Sequence, residues 1–354
     1  MAITPVYDRP ITDPENQPLS SFRLGCRPYE SCQGSGGALE SHLSESQGIV
    51  MSLALEPRHW VLVIFICSAL YAHFRGSVRF GLVRALTDFT VLIAPVNALM
   101  YLFSRTPRTA YIDQSAFPEL QLLTKNWEVI RDEAMALAEG GQIRAAASYN
   151  DIGFNSFFRT GWKRFYLNWY GNDLPSAAQS CPKTLALLKQ LPNIKAAMFA
   201  SLPPGATLVR HRDPYAGSLR YHLGLVTPND PECFIEVDGQ RYHWKDGEAV
   251  MFDETFIHHA ANRTDHQRVV LFCDVERPLW TAPVRWFNRL FAKYVMSSAA
   301  SQNIEGEGIG FLNRFFALFY QLRLQSKKLK AYSRRLYYLF KWAAILGVLW
   351  LIFW

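Results

Sequence analysis

The sequence predicts a mainly β protein, an antiparallel double sheet or barrel, with apolar helices near both ends of the chain. Short runs in which apolar and polar residues alternate follow one another from about residue 161. Few helical patterns separate these runs, which disfavours a doubly wound parallel sheet. Asp238-Gly239, between two of the runs, is typical of a hairpin turn. The predicted strands are residues 162–169, 197–202, 219–226, 233–237, 241–244, 249–252 and 269–275.

A helical period precedes the strands, between residues 117 and 140. Apolar residues recur there at steps of three and four, so we expect one amphipathic helix that covers the sheet. The residues that carry this period are Leu120, Leu123, Trp127, Ile130, Ala134 and Leu137.

Residues 1–50 are polar, rich in Ser, Gly and Pro, and show no helical or strand period. We expect a disordered extension, because such a composition buries too little apolar surface to offset the entropy of ordering. The absence of an early apolar region argues against a cleavable signal peptide. Met51 stands just before the first apolar stretch, and a natural start at this residue is a hypothesis.

Two apolar stretches, residues 60–74 and 89–103, predict membrane anchor helices within residues 51–110. Pro95 and Asn97 interrupt the second stretch, so a buried or interfacial helical hairpin competes with two crossings. Basic residues follow the first stretch as cytoplasmic anchors do: Arg75, Arg79 and Arg84.

The C-terminal part of the chain is basic and then apolar. The formal net charge of the 354 residues is +7, and no acidic residue follows Glu307. Residues 283–335 predict a basic amphipathic helical segment, and residues 336–354 can cross a membrane if Lys341 snorkels. An interfacial helix or a buried core helix is the alternative. Positive charge beside an apolar stretch favours a membrane surface over nucleic acid and predicts a cytoplasmic body.

The six cysteines lie at irregular spacings without a CxxC pair. This pattern argues against a zinc knuckle and against a disulfide framework. Reduced thiols are therefore expected.

Histidines are concentrated in one region, where six of the nine lie between His211 and His266. His211 and Asp213 are two residues apart, so on an extended strand both side chains lie on one face. His258, after a predicted strand and its turn, is the candidate for a third ligand. Two imidazoles and one carboxylate leave positions open on iron(II) for a bidentate co-substrate and oxygen. A surface His–Asp pair is the alternative.

Three further residues are candidates for binding 2-oxoglutarate. Arg268, at the start of a predicted strand, could pair in a bidentate way with the distal carboxylate. Arg220 and His222 alternate with the apolar face of strand 219–226, so they are expected to face the barrel interior. A surface arginine and a structural histidine are the alternatives.

At these positions the sequence resembles the aspartyl/asparaginyl β-hydroxylase family, and more closely its bacterial lipid A 2-hydroxylase branch. The blocks that carry the resemblance span about a third of the chain. They are Gly161-Trp162-Lys163-Arg164-Phe165-Tyr166-Leu167, Pro204-Gly205, Arg220-Tyr221-His222-Leu223-Gly224-Leu225, Phe252-Asp253-Glu254-Thr255-Phe256-Ile257-His258 and Arg268 through Val275.

The resemblance implies a double-stranded β-helix, or jelly-roll, domain over residues 111–282 that requires iron(II), 2-oxoglutarate and oxygen. His211 and His258 match the metal histidines, while His222 and Arg268 match positions that hold 2-oxoglutarate. Vertebrate peptide hydroxylases of this family have glycine at the position of Asp213, which speaks against a peptide substrate. The lipid A branch has the carboxylate, a segment like His73-Phe74-Arg75-Gly76 and apolar segments at both ends.

By this resemblance the substrate is the lipid A part of lipopolysaccharide, hydroxylated at C2 of an acyl chain on the cytoplasmic face of the bacterial inner membrane. Membrane lipids are expected partners and nucleic acid is not, while the oligomeric state stays open. Rival interpretations are a membrane-bound peptide Asp/Asn hydroxylase, a zinc hydrolase with the same triad and a non-catalytic scaffold. The candidates for binding an anionic head group are Lys163, Arg164, Arg212 and Arg285, with simple solvation as the alternative.

Overall fold

The computed structural model describes residues 56–81, 84–85, 88–146 and 151–353. The expectations for residues 1–50 and for a start at Met51 lie outside the described residues. The helices are α1 (Pro57–Phe74), α2 (Phe89–Leu92), α3 (Ala94–Leu102), α4 (Gln121–Lys125), α5 (Trp127–Glu139), α6 (Pro175–Ser180), α7 (Pro182–Leu188), α8 (Ala282–Phe291), α9 (Phe311–Tyr332) and α10 (Arg334–Phe353). The strands are β1 (Lys163–Trp169), β2 (Asn172–Asp173), β3 (Ile194–Leu202), β4 (Thr207–His211), β5 (Ser218–Val226), β6 (Cys233–Val237), β7 (Gln240–His243), β8 (Ala249–Phe252), β9 (His258–Asn262) and β10 (Arg268–Glu276).

The strands form two antiparallel sheets, as the sequence predicts. The six-stranded sheet has the order β2-β1-β3-β10-β5-β8, and the four-stranded sheet has the order β4-β9-β6-β7. From β3 to β10 the chain changes sheet after every strand except β6, which forms a hairpin with β7. This is the connectivity of a double-sheet jelly roll. The hairpin turns at Asp238 and Gly239, whose positive φ angles of 50° and 84° confirm the predicted turn.

The central strands β3, β5 and β10 are buried along almost their whole length. Helix α5 covers β5 on one side of the six-stranded sheet, and the other face of this sheet lines a cleft with the four-stranded sheet. Side chains at alternate positions of the same strand therefore point either to the helix or to the cleft. On β5 the apolar residues pack under the helix, and Arg220 and His222 face the cleft.

The predicted helix over residues 117–140 is interrupted. Helix α4 ends at Lys125 and α5 begins at Trp127, with Asn126 between them at φ −114° and ψ 20°. The Asn126 amide donates to the carbonyl of Leu122 at 2.8 Å. This side-chain bond to the preceding turn satisfies the backbone where the helix breaks.

The second apolar stretch is a pair of short helices, α2 and α3, of which α3 is docked on the β domain. On α3, Asn97 is fully buried; its amide donates to the Pro214 carbonyl at 2.6 Å and accepts from the Ala216 N–H at 2.9 Å. Buried polar pairing of this kind is typical of a structural helix. Residues 89–103 therefore form two short helices, of which one is docked on the β domain, and the choice between a buried and an interfacial hairpin stays a prediction.

Helices α1, α9 and α10 carry many exposed apolar side chains. On α1, Trp60 and Ile64 are each 55% exposed, and on α10 Trp350 is 62% exposed. Among the described residues, no helix combines the length and the hydropathy that a membrane crossing requires. The crossings predicted for residues 60–74 and 336–354 are therefore not supported.

Candidate metal centre

The two histidine ligands are joined by the pairing of β4 with β9. β4 ends at His211 and β9 begins at His258, and these two residues are direct cross-strand partners. Their ring centroids are 4.2 Å apart. Asp213 follows two residues after the end of β4, and its Oδ1 lies 3.9 Å from Nε2 of His211. One possible ligand atom from each of His211, Asp213 and His258 lies within 4.8 Å of the others.

Both imidazoles are held so that Nε2 is available to a metal. Nδ1 of His211 is 2.7 Å from the Val209 carbonyl, and Nδ1 of His258 is 2.9 Å from the Phe256 carbonyl. A carbonyl only accepts, so in each ring Nδ1 carries the proton and Nε2 keeps its lone pair. Burial lowers the pKa of His211, and burial with the neighbouring His211 lowers the pKa of His258 to about 3. Both rings are therefore neutral at neutral pH, as metal ligands must be.

Asp213 is positioned by Arg220. Burial raises the pKa of this carboxyl group, but the charge of Arg220 and the two histidines outweigh it and hold the pKa below its usual value. Nη2 of Arg220 donates to Oδ2 of Asp213 at 2.8 Å, while Oδ1 faces His211. The Asp213 backbone N–H also donates to the Glu254 carbonyl at 2.9 Å. The aspartate thus stays ionised with one oxygen aimed at the metal position.

Arg220 is not a free cation in the cleft. Besides Asp213, its guanidinium pairs with Glu254 and, at 2.9 Å, with Asp274, and it lies 3.6 Å from the centroid of the Phe272 ring. Three carboxylates already engage Arg220, so this arrangement gives no support to the prediction that it holds 2-oxoglutarate, which stays a prediction. Sequence reasoning missed Glu254 and Asp274, although both lie within the blocks that carry the family resemblance.

Arg268 and His222 lie together in the same cleft as the metal ligands, on neighbouring strands β10 and β5. Arg268 is 2% exposed, and its Nε has no hydrogen-bond partner among the described residues. Both ring nitrogens of buried His222 likewise lack a partner there, and burial lowers its pKa far below the usual value. Unpaired buried donors are costly unless a ligand satisfies them. Trp244 lies next to both side chains. Its ring centroid is 4.3 Å from the guanidinium carbon of Arg268 and 6.0 Å from the ring centroid of His222.

The cleft encloses about 480 Å³, including its open mouth. It lies between the two sheets, with walls that are mainly aromatic and aliphatic. The apolar lining residues are Phe154, Phe157, Trp162, Ala200, Leu208, Ile235, Trp244, Phe252, Ala260, Val270 and Phe272.

The side chains of two of the four head-group candidates are buried beside carboxylates, so the structure gives no support to these two assignments, which stay predictions. Arg164 is 1% exposed and pairs with Asp151 at 2.9 Å. The Arg212 side chain is 5% exposed and lies 3.4 Å from the Asp88 carboxylate. Lys163 is exposed at the start of β1, and half-buried Arg285 donates to the carbonyls of Leu279 and Trp280.

Comparison with known proteins now identifies the family. The model of the aspartyl/asparaginyl beta-hydroxylase family matches residues 124–278, which include all three candidate ligands, His222 and Arg268. An ornithine lipid ester-linked acyl 2-hydroxylase of Rhizobium tropici is 33% identical over 202 residues, 56% of this chain and 72% of that relative. The chain belongs to the aspartyl/asparaginyl beta-hydroxylase family.

Further relatives share less of their length with this chain. The human aspartyl/asparaginyl beta-hydroxylase is 28% identical over 178 residues, 49% of this chain and 23% of that protein. The human aspartate beta-hydroxylase domain-containing protein 2 is 29% identical over 182 residues, 49% of this chain and 48% of that protein. The chain thus spans less than half of either human relative. A prolyl-4-hydroxylase structure from Pseudomonas putida is 18% identical with a TM-score of 0.31, covering 44% of this chain and 87% of the other.

Family membership confirms the predicted family and the prediction that the chain is an enzyme, a hydroxylase. It sets aside the zinc hydrolase and the non-catalytic scaffold.

Proposed function

We propose that this enzyme uses iron(II), 2-oxoglutarate and oxygen to hydroxylate C2 of an acyl chain of lipid A, at the bacterial inner membrane and with its cleft facing the cytoplasm. The observation that carries the proposal is one cleft in which a His-Asp-His triad, an unpaired buried arginine and an apolar wall occur together.

The donor set fits a ferrous ion. Nε2 of His211, Nε2 of His258 and Oδ1 of Asp213 would hold it, which leaves positions for a bidentate keto acid and oxygen. When bound, these groups supply the oxidising chemistry that a non-acidic C–H bond needs. The protein's own part is to fix the three ligands, exclude water and orient one carbon of the substrate.

Arg268 and His222 fit 2-oxoglutarate. The guanidinium would take the distal carboxylate of the co-substrate, and the neutral imidazole would donate a hydrogen bond to it. Both side chains are buried beside the triad with unsatisfied nitrogens, so a dicarboxylate would satisfy donors that are otherwise unpaired.

The cleft lining favours an acyl chain over a peptide aspartate. Every ionisable residue among the described lining residues is a metal ligand, His222, Arg268 or the already paired Arg220. A substrate carboxylate would therefore find no further cation there, whereas an alkyl chain would contact Phe157, Leu208 and Val270. The name of the Rhizobium relative points to the same reaction class.

A membrane location agrees with the exposed surface. Helices α1 and α10 present apolar side chains, and exposed Lys327, Lys328 and Lys330 lie on α9, directly before α10 in the chain. Apolar surface next to positive charge suits the interface of an anionic bilayer.

Ornithine lipid is the second candidate substrate, because the Rhizobium relative bears that name. Mass spectrometry of lipid A and of ornithine lipid from cells without the gene, with the gene and with a His258→Ala variant separates the two. We expect the mass of one oxygen atom to be added to an acyl chain of lipid A by the wild type alone. Addition to ornithine lipid instead would select the second candidate, and addition to neither would refute acyl hydroxylation. The His258→Ala variant is expected to fold and to leave both lipids unmodified.

A further inference from the structure

The end of α1 reaches the segment that leads to the metal ligand His258. Arg75, the residue after α1, pairs with the Asp253 carboxylate and donates to Oγ1 of Thr255 at 2.7 Å. Its guanidinium lies 4.0 Å from the centroid of the Phe256 ring, and its side chain is 5% exposed. A buried, doubly bonded arginine thus ties α1 to residues 253–256.

The segment that carries the other two ligands reaches back to α1. Arg212 stands between His211 and Asp213 in the chain, and its Nη1 donates to the Ala72 carbonyl in the last turn of α1 at 3.0 Å. Its Nε lies 3.4 Å from the carboxylate of Asp88, which caps α2. Each of the two ligand-bearing segments is therefore bonded to the N-terminal helices through an arginine.

A third contact joins the residues after α1 to the turn of the β6–β7 hairpin. The Asp238 carboxylate accepts from the backbone N–H groups of Ser77 at 3.0 Å and Val78 at 2.8 Å. The Asp238 N–H in turn donates to the Ile257 carbonyl at 2.9 Å, one residue before His258. A Cβ at Gly76 would lie 2.8 Å from Oδ1 of Asp238 and 3.1 Å from the Phe256 ring, so the backbone approaches as closely as glycine permits.

We propose that α1 is part of the metal centre, with Arg75 and Arg212 as positioning residues that fix the two ligand-bearing segments relative to each other. Neither arginine is among the residues that line the cleft. Each acts on the backbone next to a ligand, as hydrogen-bonding partners outside the coordination shell do when they orient ligands. The inference rests on the proposed iron site. Because the other sides of α1 are exposed and apolar, α1 would lie on lipid and hold the cleft in a fixed orientation to the lipid surface, where an acyl-chain substrate is found.

Two measurements on the full-length chain in detergent test the proposal. The first is titration with Co²⁺, in the presence of 2-oxoglutarate, followed by visible absorption. The second is hydrogen–deuterium exchange of the metal-free protein in peptides that contain residues 253–258. The variants are Arg75→Ala, Arg75→Lys and Arg212→Ala, and the control is Arg79→Ala, an arginine of the same segment that lies over the Phe74 ring.

We expect Arg75→Ala and Arg212→Ala to weaken Co²⁺ binding by about 10-fold or more, which is the lower end of typical effects of residues that orient metal ligands. Exchange in residues 253–258 should become faster in Arg75→Ala, and Arg75→Lys should restore part of the Co²⁺ affinity because it keeps the charge. The control should stay within about twofold of the wild type. Asp253 keeps Arg277 as a partner at 2.9 Å in Arg75→Ala, so the domain should still fold, which a urea midpoint checks.

Unchanged Co²⁺ affinity and unchanged exchange in both alanine variants would overturn the proposal, as would a loss that matches the control. If the wild type itself bound no Co²⁺, the proposed iron site would be refuted instead. The exchange of residues 253–258 in Arg75→Ala would then decide alone whether α1 holds this segment.

Discussion

Arg268 carries a buried charge that the described protein groups do not neutralise. Burial lowers its pKa to about 10, so the guanidinium is still charged at neutral pH, and its Nε lacks a hydrogen-bond partner among the described residues. A carboxylate of 2-oxoglutarate would relieve this cost. We expect Arg268→Ala to weaken 2-oxoglutarate binding by about 10- to 100-fold, since hydrogen bonds to charged groups contribute about 1.5–3 kcal/mol.

Isothermal titration of 2-oxoglutarate into the Co²⁺-loaded enzyme measures this effect. Arg263→Ala, which removes an exposed arginine paired with Glu232, is the matched control and should bind normally. Equal affinity in Arg268→Ala and the wild type would count against the assignment of Arg268.

His258 makes the stability of the metal-free protein depend on pH. Its folded-state pKa is about 3, against an ordinary value of 6.5. As the pH falls below 6.5 the unfolded chain binds a proton that the folded chain does not, so stability is lost between these two values. The loss is at most about 1.4 kcal/mol per pH unit from this group.

Urea unfolding with a chelator, at several pH values on both sides of about 6.5, measures this dependence. Carboxylates such as Asp253 also favour folding at higher pH, because Arg277 and Arg75 outweigh burial and lower the pKa of this group. The comparison is therefore between the wild type and His258→Gln, which lacks only the imidazole. We expect the free energy of unfolding to fall less steeply with decreasing pH in His258→Gln than in the wild type. Parallel curves of this free energy against pH would contradict the lowered pKa of His258.

At the scale of elements, α3 holds the loop after Asp213 through hydrogen bonds from one side chain. The buried Asn97 side chain bonds both the Pro214 carbonyl and the Ala216 N–H. Asn97→Ala leaves these buried backbone groups without partners, and we expect a loss of about 1–3 kcal/mol in the free energy of unfolding. Gln121→Ala, on the exposed side of α4, should change little. A urea midpoint equal to that of the wild type would indicate that α3 does not pack on the β domain.

Seven of the ten described strands were predicted, and β2, β4 and β9 were missed. The predicted runs correspond to β1, β3, β5, β6, β7, β8 and β10, where aromatic and β-branched residues mark the strands. β4 and β9 were missed, although they carry His211 and His258. β9 has the sequence His258-His259-Ala260-Ala261-Asn262, which has little strand propensity, and β4 is largely exposed. Pairing between them, not local preference, makes these residues strands.

The three metal ligands and Arg268 could be proposed from spacing and family resemblance, but the role of each remaining arginine could not. Arg164, Arg212 and Arg220 look alike in sequence, as arginines beside apolar residues. Their roles are set by acidic partners elsewhere in the chain, such as Asp88 for Arg212 and Asp274 for Arg220. Only the folded chain brings such pairs together.

At the scale of the whole molecule, the β domain holds the cleft with the candidate metal ligands, and apolar helices lie before and after this domain in the chain. The described helices include none that could cross a membrane. We propose a position in the bilayer interface on the basis of the exposed apolar side chains of α1 and α10 and the exposed lysines of α9.

Flotation with lipid vesicles tests this position. We expect the full-length chain to bind vesicles that contain anionic lipid, and to bind them more weakly as salt is raised, because each lysine near the surface contributes about 1 kcal/mol. Replacing Lys327, Lys328 and Lys330 by Glu should therefore lower the affinity by roughly 100-fold or more. The matched control replaces Lys125, Lys183 and Lys189 by Glu, which changes the net charge equally on exposed positions of α4, α7 and the residue after α7. An equal loss of vesicle affinity in both triple variants would mean that net charge alone causes the effect. Full binding by the α9 variant would mean that its three lysines do not contact the membrane.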